Sequence, residues 1–129
     1  MSKEEVFRVR QVYGPSGTIN MRTNGSKKSD AILSVGRWLG DVGINSWALT
    51  REQALIALDK LEAEANGILG GDVLAEKSGV LRHNYDNWHC DPEQDESNSA
   101  FVFRSIMNTR TYIANYPDTE CFFVIVTAL

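Results

Sequence analysis

The sequence predicts an α+β fold, a small antiparallel sheet packed against two main helices. Three observations carry that expectation. A capping box at residue 50 opens an amphipathic stretch, two β-rich segments between residues 68 and 90 flank a polar turn, and residues 121–126 form a run apolar on both faces. The chain has 129 residues, 43% hydrophobic and 23% charged, which fits one compact soluble domain able to bury a core without disulfides or metal.

Residues 1–30 read as an N-terminal arm, a strand or a disordered segment, with 31–129 as the domain proper. Val6, Phe7, Val9, Val12 and Tyr13 suit a strand, a short helix led by Glu4 and Glu5 being the alternative, and residues 23–30 form a polar loop. Asp30 can cap a short helix over 31–38 that places Ile32, Val35, Trp38 and Leu39 on one face. Thr50 and Gln53 make the capping box of a second helix, with Ala54, Ala57, Leu58, Leu61 and Ala65 as its apolar stripe and Asn66-Gly67 as a left-handed stop.

A hairpin follows over 68–90. Gly70 and Gly71 interrupt its first strand, marking a bulge or the close approach of another backbone; a phosphate loop is rejected, since no Lys-Ser/Thr and no helix follow. Pairing about residues 76–79 sets Asp72 opposite Arg82 as a cross-strand ion pair. Ser97 or Ser99 can cap a helix over 99–115, with Phe103, Ile106, Met107 and Ile113 buried and Pro117 beyond its stop. The final run, 121–127, reads as a central strand covered on each face.

Composition narrows function. Residues 1–60 carry nine Lys and Arg against six Asp and Glu, whereas residues 61–129 carry four against eleven. That balance disfavours nucleic-acid binding, which needs clustered positive charge. No segment has the length and apolarity of a membrane span or a signal peptide, so the expected location is cytoplasmic. His83 and His89 lie too far apart on an extended strand to share one metal ion, and no cofactor motif occurs. Cys90 adjoins His89, but strand alternation turns the two apart, and Cys121 opens a core strand, so both thiols read as inert.

The richest segment is 83–91. Alternation places His83, Tyr85, Asn87 and His89 on one face and Asn84, Asp86, Trp88 and Cys90 on the other, so neither is simply core or simply solvent. Tyr85 and Trp88 beside Asp86, Asp91, Glu93, Asp95 and Glu96 have the composition of a recognition surface, with aromatic and His89 anchors and steering carboxylates. The alternative is a half-buried Trp88 whose indole N–H bonds a carboxylate.

Trp47-Ala48-Leu49, the capped helix, Ile68-Leu69-Gly70-Gly71-Asp72-Val73, Tyr85-Asp86-Asn87-Trp88 with Asp91, Tyr112-Ile113 and Phe123-Val124-Ile125-Val126 together resemble the immunity proteins of bacterial polymorphic toxin systems, the family numbered forty. The similarity spans about residues 33–129. His89, where an aromatic is expected after Trp88, and the acidic loop 93–99 depart from the pattern. The resemblance implies an α+β domain without enzymatic activity that binds and blocks a cognate toxin domain, as a monomer or homodimer. A toxin acting on nucleic acid would offer a basic cleft to the acidic loop. Two other classes remain open from the residues alone: a small hydrolase or transferase using His83, His89 or nearby carboxylates, and an adaptor whose edge strand pairs with its own copy.

Overall fold

In the computed structural model, residues 27–128 are described; the expected N-terminal strand and the part of the polar loop before residue 27 lie outside them, while residues 27–30, expected as the rest of that loop with Asp30 as a cap, are helical. The first element, helix α1 (Lys27–Leu33), already includes Asp30 in its first turn. It stops earlier than the apolar spacing suggests because Gly36 lies hard against the carbonyl of Ala48, where a Cβ would come within 2.6 Å of the oxygen. Trp38 therefore leaves the expected helix face. It sits in the two-residue strand β1 (Arg37–Trp38), opposite Trp47 of β2 (Trp47–Ala48), with the indole centroids 5.0 Å apart.

Helix α2 (Arg51–Ala63) starts where the capping box puts it. Thr50 Oγ1 accepts from the Gln53 N–H and the Gln53 side chain accepts from the Thr50 N–H. Its end differs from expectation. Ala65, at φ 54°, takes the left-handed position, its N–H donating to Glu62 and that of Asn66 to Leu61. Gly67 serves packing instead, since a Cβ there would lie 2.5 Å from the Phe101 ring.

Strands β3 (Ile68–Lys77) and β4 (Val80–His89) form the expected hairpin. The turn is Ser78-Gly79, both at positive φ, the mirror-image turn that matches strand twist. This tight turn pairs Arg82 with Ala75, while Asp72 lies opposite Asn87, so the expected Asp72–Arg82 pair does not form. Helix α3 (Asn98–Asn115) is capped by Ser97, whose hydroxyl accepts from the Ala100 N–H. Strand β5 (Phe122–Thr127) completes a three-stranded antiparallel sheet of order β4-β3-β5.

The centre of that sheet is β3, where β5 was expected. Beyond β5, Leu49 exchanges two backbone hydrogen bonds with Phe123 and so links the small β1–β2 sheet to the larger one. The double burial expected of β5 holds. Phe123 and Ile125 face α2 and α3 with Ile68, Val73 and Trp88, while Val124 and Val126 join Leu39, Ile44, Ala48, Leu74 and Leu81 on the opposite face. Gly70 and Gly71 permit this compression. A Cβ on Gly70, at φ 143°, would lie 2.2 Å from the Trp88 carbonyl oxygen, and one on Gly71 2.4 Å from its indole. The pairing with β5 shifts between Ile68 and Gly70, as the bulge reading expects.

The two ends of α2 should respond oppositely to substitution. Thr50→Ala removes the cap and is expected to destabilise by about 1 kcal/mol, while Ala65→Gly relieves a left-handed alanine and should stabilise by about 1 kcal/mol. Urea unfolding midpoints check both.

Candidate partner-binding surface

The segment 83–91 runs along β4 into the loop before α3, and a bulge shapes it. Leu74 pairs with His83 and Asp72 with Asn87, so Val73 alone faces Asn84, Tyr85 and Asp86. Tyr85 adopts φ 74° at the apex. The bulge takes two backbone donors out of the ladder, and neighbouring side chains accept them: His83 Nδ1 from the Tyr85 N–H, and Asn84 Oδ1 from the Asp86 N–H at 3.0 Å. Tyr85 is thereby pushed outward and is 51% exposed.

Below it lies a hydrogen-bonded support. The Tyr116 hydroxyl donates to Asp86 Oδ2 and accepts from Asn84 Nδ2 at 2.8 Å. Burial first, and then the Asp86 carboxylate, push the Tyr116 phenol well above its ordinary range. Tyr112 is raised as well, chiefly by burial. Trp88 is not displayed: it is 5% exposed, stacked on Tyr112 at 4.8 Å and edge-on to Phe123. Its indole N–H donates to Thr109 Oγ1 at 3.0 Å, a hydroxyl where a carboxylate was expected. The glycine at 71 explains the difference, because the bare backbone lets the indole lie flat in the sheet–helix interface.

The acidic loop is clamped from behind. Arg104 donates through Nε and Nη2 to both oxygens of Glu96 at 2.7 Å, through Nη2 to the Asp91 carbonyl at 2.6 Å, and through Nη1 to Cys90 Sγ at 3.3 Å. Glu96 also accepts the Glu93 N–H. Arg104, with that N–H, draws the Glu96 carboxyl down to about 2. A depressed carboxyl supports the fold above its unfolded value of 4.5 and loses that support as pH falls toward about 2. Of the expected steering acids, Glu96 is thus spent on loop structure, while Asp86, Asp91, Glu93 and Asp95 stand exposed with His89. Arg104, Tyr112, Tyr116 and Thr109 were not singled out as supports by sequence. The one signal was spacing, since 112 and 116 fall on the α3 flank that also carries 104 and 109.

His83 and Asp72 form a buried pair, Nε2 to Oδ1 at 3.1 Å. With Nδ1 accepting the Tyr85 N–H, Nε2 carries the proton, and both ring nitrogens are engaged. No nitrogen is left to abstract a proton. Asp72 Oδ2 is buried without a hydrogen-bond partner, and burial raises the carboxyl above its usual range against the pull of His83. Burial also raises both thiols, Cys121 to about 12, so neither is poised as a nucleophile. Among the described residues, no three His, Cys, Asp or Glu side chains gather as metal ligands, and no helix is long and apolar enough to cross a membrane.

The fold and this surface define a small α+β domain with a bulge-presented tyrosine and a clamped acidic loop. Residues 38–127 match the family model described as Immunity protein 40, and the chain belongs to that family. Membership implies an immunity protein, whose partner is a toxin. No curated protein and no solved structure matches the chain.

Two substitutions separate support from surface. Arg104→Met should return Glu96 from about 2 toward the ordinary 4.5 in an NMR titration, with amides of the loop becoming faster to exchange. Trp88→Phe keeps the stack but removes the donor to Thr109, and is expected to destabilise by about 2 kcal/mol in urea unfolding.

Proposed function

We propose that this chain is a cytoplasmic immunity protein that neutralises a cognate bacterial polymorphic toxin by stoichiometric binding, without catalysis. The observation that carries the reading is the preformed surface of Tyr85, Asp86, His89, Asp91, Glu93 and Asp95. Its aromatic apex is held out by the β4 bulge and its acidic loop is pinned by Arg104. A surface already ordered in the free protein loses little conformational entropy on docking.

Trp88 and Glu96 take part indirectly. Trp88 supports the strand from beneath and Glu96 holds the loop through Arg104. The exposed carboxylates suit a basic partner, as a toxin acting on nucleic acid would be, and their role is to speed encounter. Tyr85 and His89 supply contact that slows dissociation.

Co-expression with the toxin encoded in the adjacent reading frame should rescue growth and yield a co-purifying complex. Failure of both would overturn the reading. Neutralising the loop with Asp91→Asn, Glu93→Gln and Asp95→Asn should slow association about tenfold at low salt, an effect that fades as ionic strength rises. Stopped-flow association rates at several salt concentrations measure it.

A further inference from the structure

Helix α3 buries Phe101, Val102, Ile106 and Ile113 but leaves two large apolar side chains outside. Its inward face contains two fully buried hydroxyls, Ser105 and Thr109, while Phe103 is 60% exposed and Met107 50% exposed. Those hydroxyls, beside the buried apolar side chains, hold the helix in this rotation. Ser105 Oγ accepts the Ile68 N–H at 3.0 Å, and Thr109 Oγ1 accepts the Trp88 indole N–H. Turned this way, the helix presents Phe103 and Met107 one above the other, four residues apart, with Arg110 three residues further along the same stripe. Neither apolar side chain belongs to either core cluster.

Carboxylates lie at both borders of this ridge. Arg110 reaches Asp59 at 3.0 Å and Glu62 at 3.8 Å, which fixes those two acids of α2 alongside the stripe. At the N-terminal end, the clamped loop carrying exposed Glu93 and Asp95 leads directly into the Ser97 cap, two turns before Phe103. Asp59 and Glu62 share Arg110, so that border keeps one net negative charge and the larger surplus lies in the loop; an apolar pair so bordered is complementary to an apolar recess ringed by lysine and arginine.

We propose that the Phe103–Met107 ridge of α3 is an anchor of the docking surface, inserting into an apolar recess on a basic face of the toxin. The inference rests on the immunity reading and extends it from the β4 bulge and the acidic loop to the outer flank of α3. It also supplies what the burial of Trp88 removes: large apolar side chains free to be desolvated by a partner.

The test uses the full chain and the toxin encoded beside it. Phe103→Ser with Met107→Ser should weaken the complex on the order of thirtyfold, mainly through faster dissociation, with an unchanged circular dichroism spectrum. In the wild-type chain, labelled with 13C at the methionine methyl groups, toxin should shift the Met107 resonance. This second measurement holds even if the double variant folds poorly. Toxin binding with equal affinity to the double variant, or a Met107 methyl that does not move, overturns the ridge and leaves the immunity reading standing. Absence of any wild-type complex overturns the immunity reading itself and the ridge with it. A dimer that the double variant dissociates, with toxin affinity intact, would assign the ridge to a second copy of this chain and overturn the proposal.

Discussion

The hydrogen bond from the Trp88 indole to Thr109 determines how α3 lies on the sheet. A buried Trp contributes on the order of a few kcal/mol through apolar contact, but contact alone tolerates small rotations of a helix. A donor that must meet a buried hydroxyl narrows that tolerance, and the second bond, Ile68 N–H to Ser105, narrows it further on top of the packing of Phe101, Val102, Ile106 and Ile113. From that rotation the other contacts of α3 follow. Arg104 comes over the loop, Tyr112 onto the indole, Tyr116 beneath Asp86, and Arg110 beside α2. Arg51, at the start of α2, closes the far end by donating to the carbonyls of Ala114, Tyr116 and Asp118.

This arrangement divides labour between two cores. The helical side carries the aromatic cluster of Trp88, Tyr112, Tyr116 and Phe123, with the Tyr116 and Arg104 contacts to the β4 bulge and the loop, while His83 holds the bulge from the other face. The opposite side is aliphatic, closed by Leu39 and Ile44 from the segment around β1 and β2. Strand β5 belongs to both, which is why its sequence shows no alternation.

Much of this was legible in the residues. The Thr50 capping box, the hairpin, the double burial of β5 and the α+β class rest on local chemistry that no distant contact overrides. Where structure and pattern differ, the cause is mostly a partner far along the chain, the tight Ser78-Gly79 turn that moves Arg82 away from Asp72 being the local exception. The left-handed stop at Ala65 was hidden because Gly67 was already committed to the Phe101 ring. The helix at 31–38 was cut short by Ala48, and the stripe of Phe103 and Met107 was turned outward by hydroxyl bonds invisible to a hydrophobicity pattern. At the surface, the residue types of 85–95 were apparent, but the sequence does not encode plainly that Tyr85 takes φ 74° or that Glu96 answers to Arg104.

Because Arg104 grips the loop through Glu96, the Asp91 carbonyl and Cys90, the backbone path from 91 to 96 does not depend on the side chain of Glu93, whereas Asp95, at φ 66°, holds a left-handed position that its short polar side chain tolerates. Position 93 can change at little structural cost, while 95 favours Asp, Asn or Gly. Substitution at 93 therefore alters the charge this face offers to solvent while the architecture beneath it is kept.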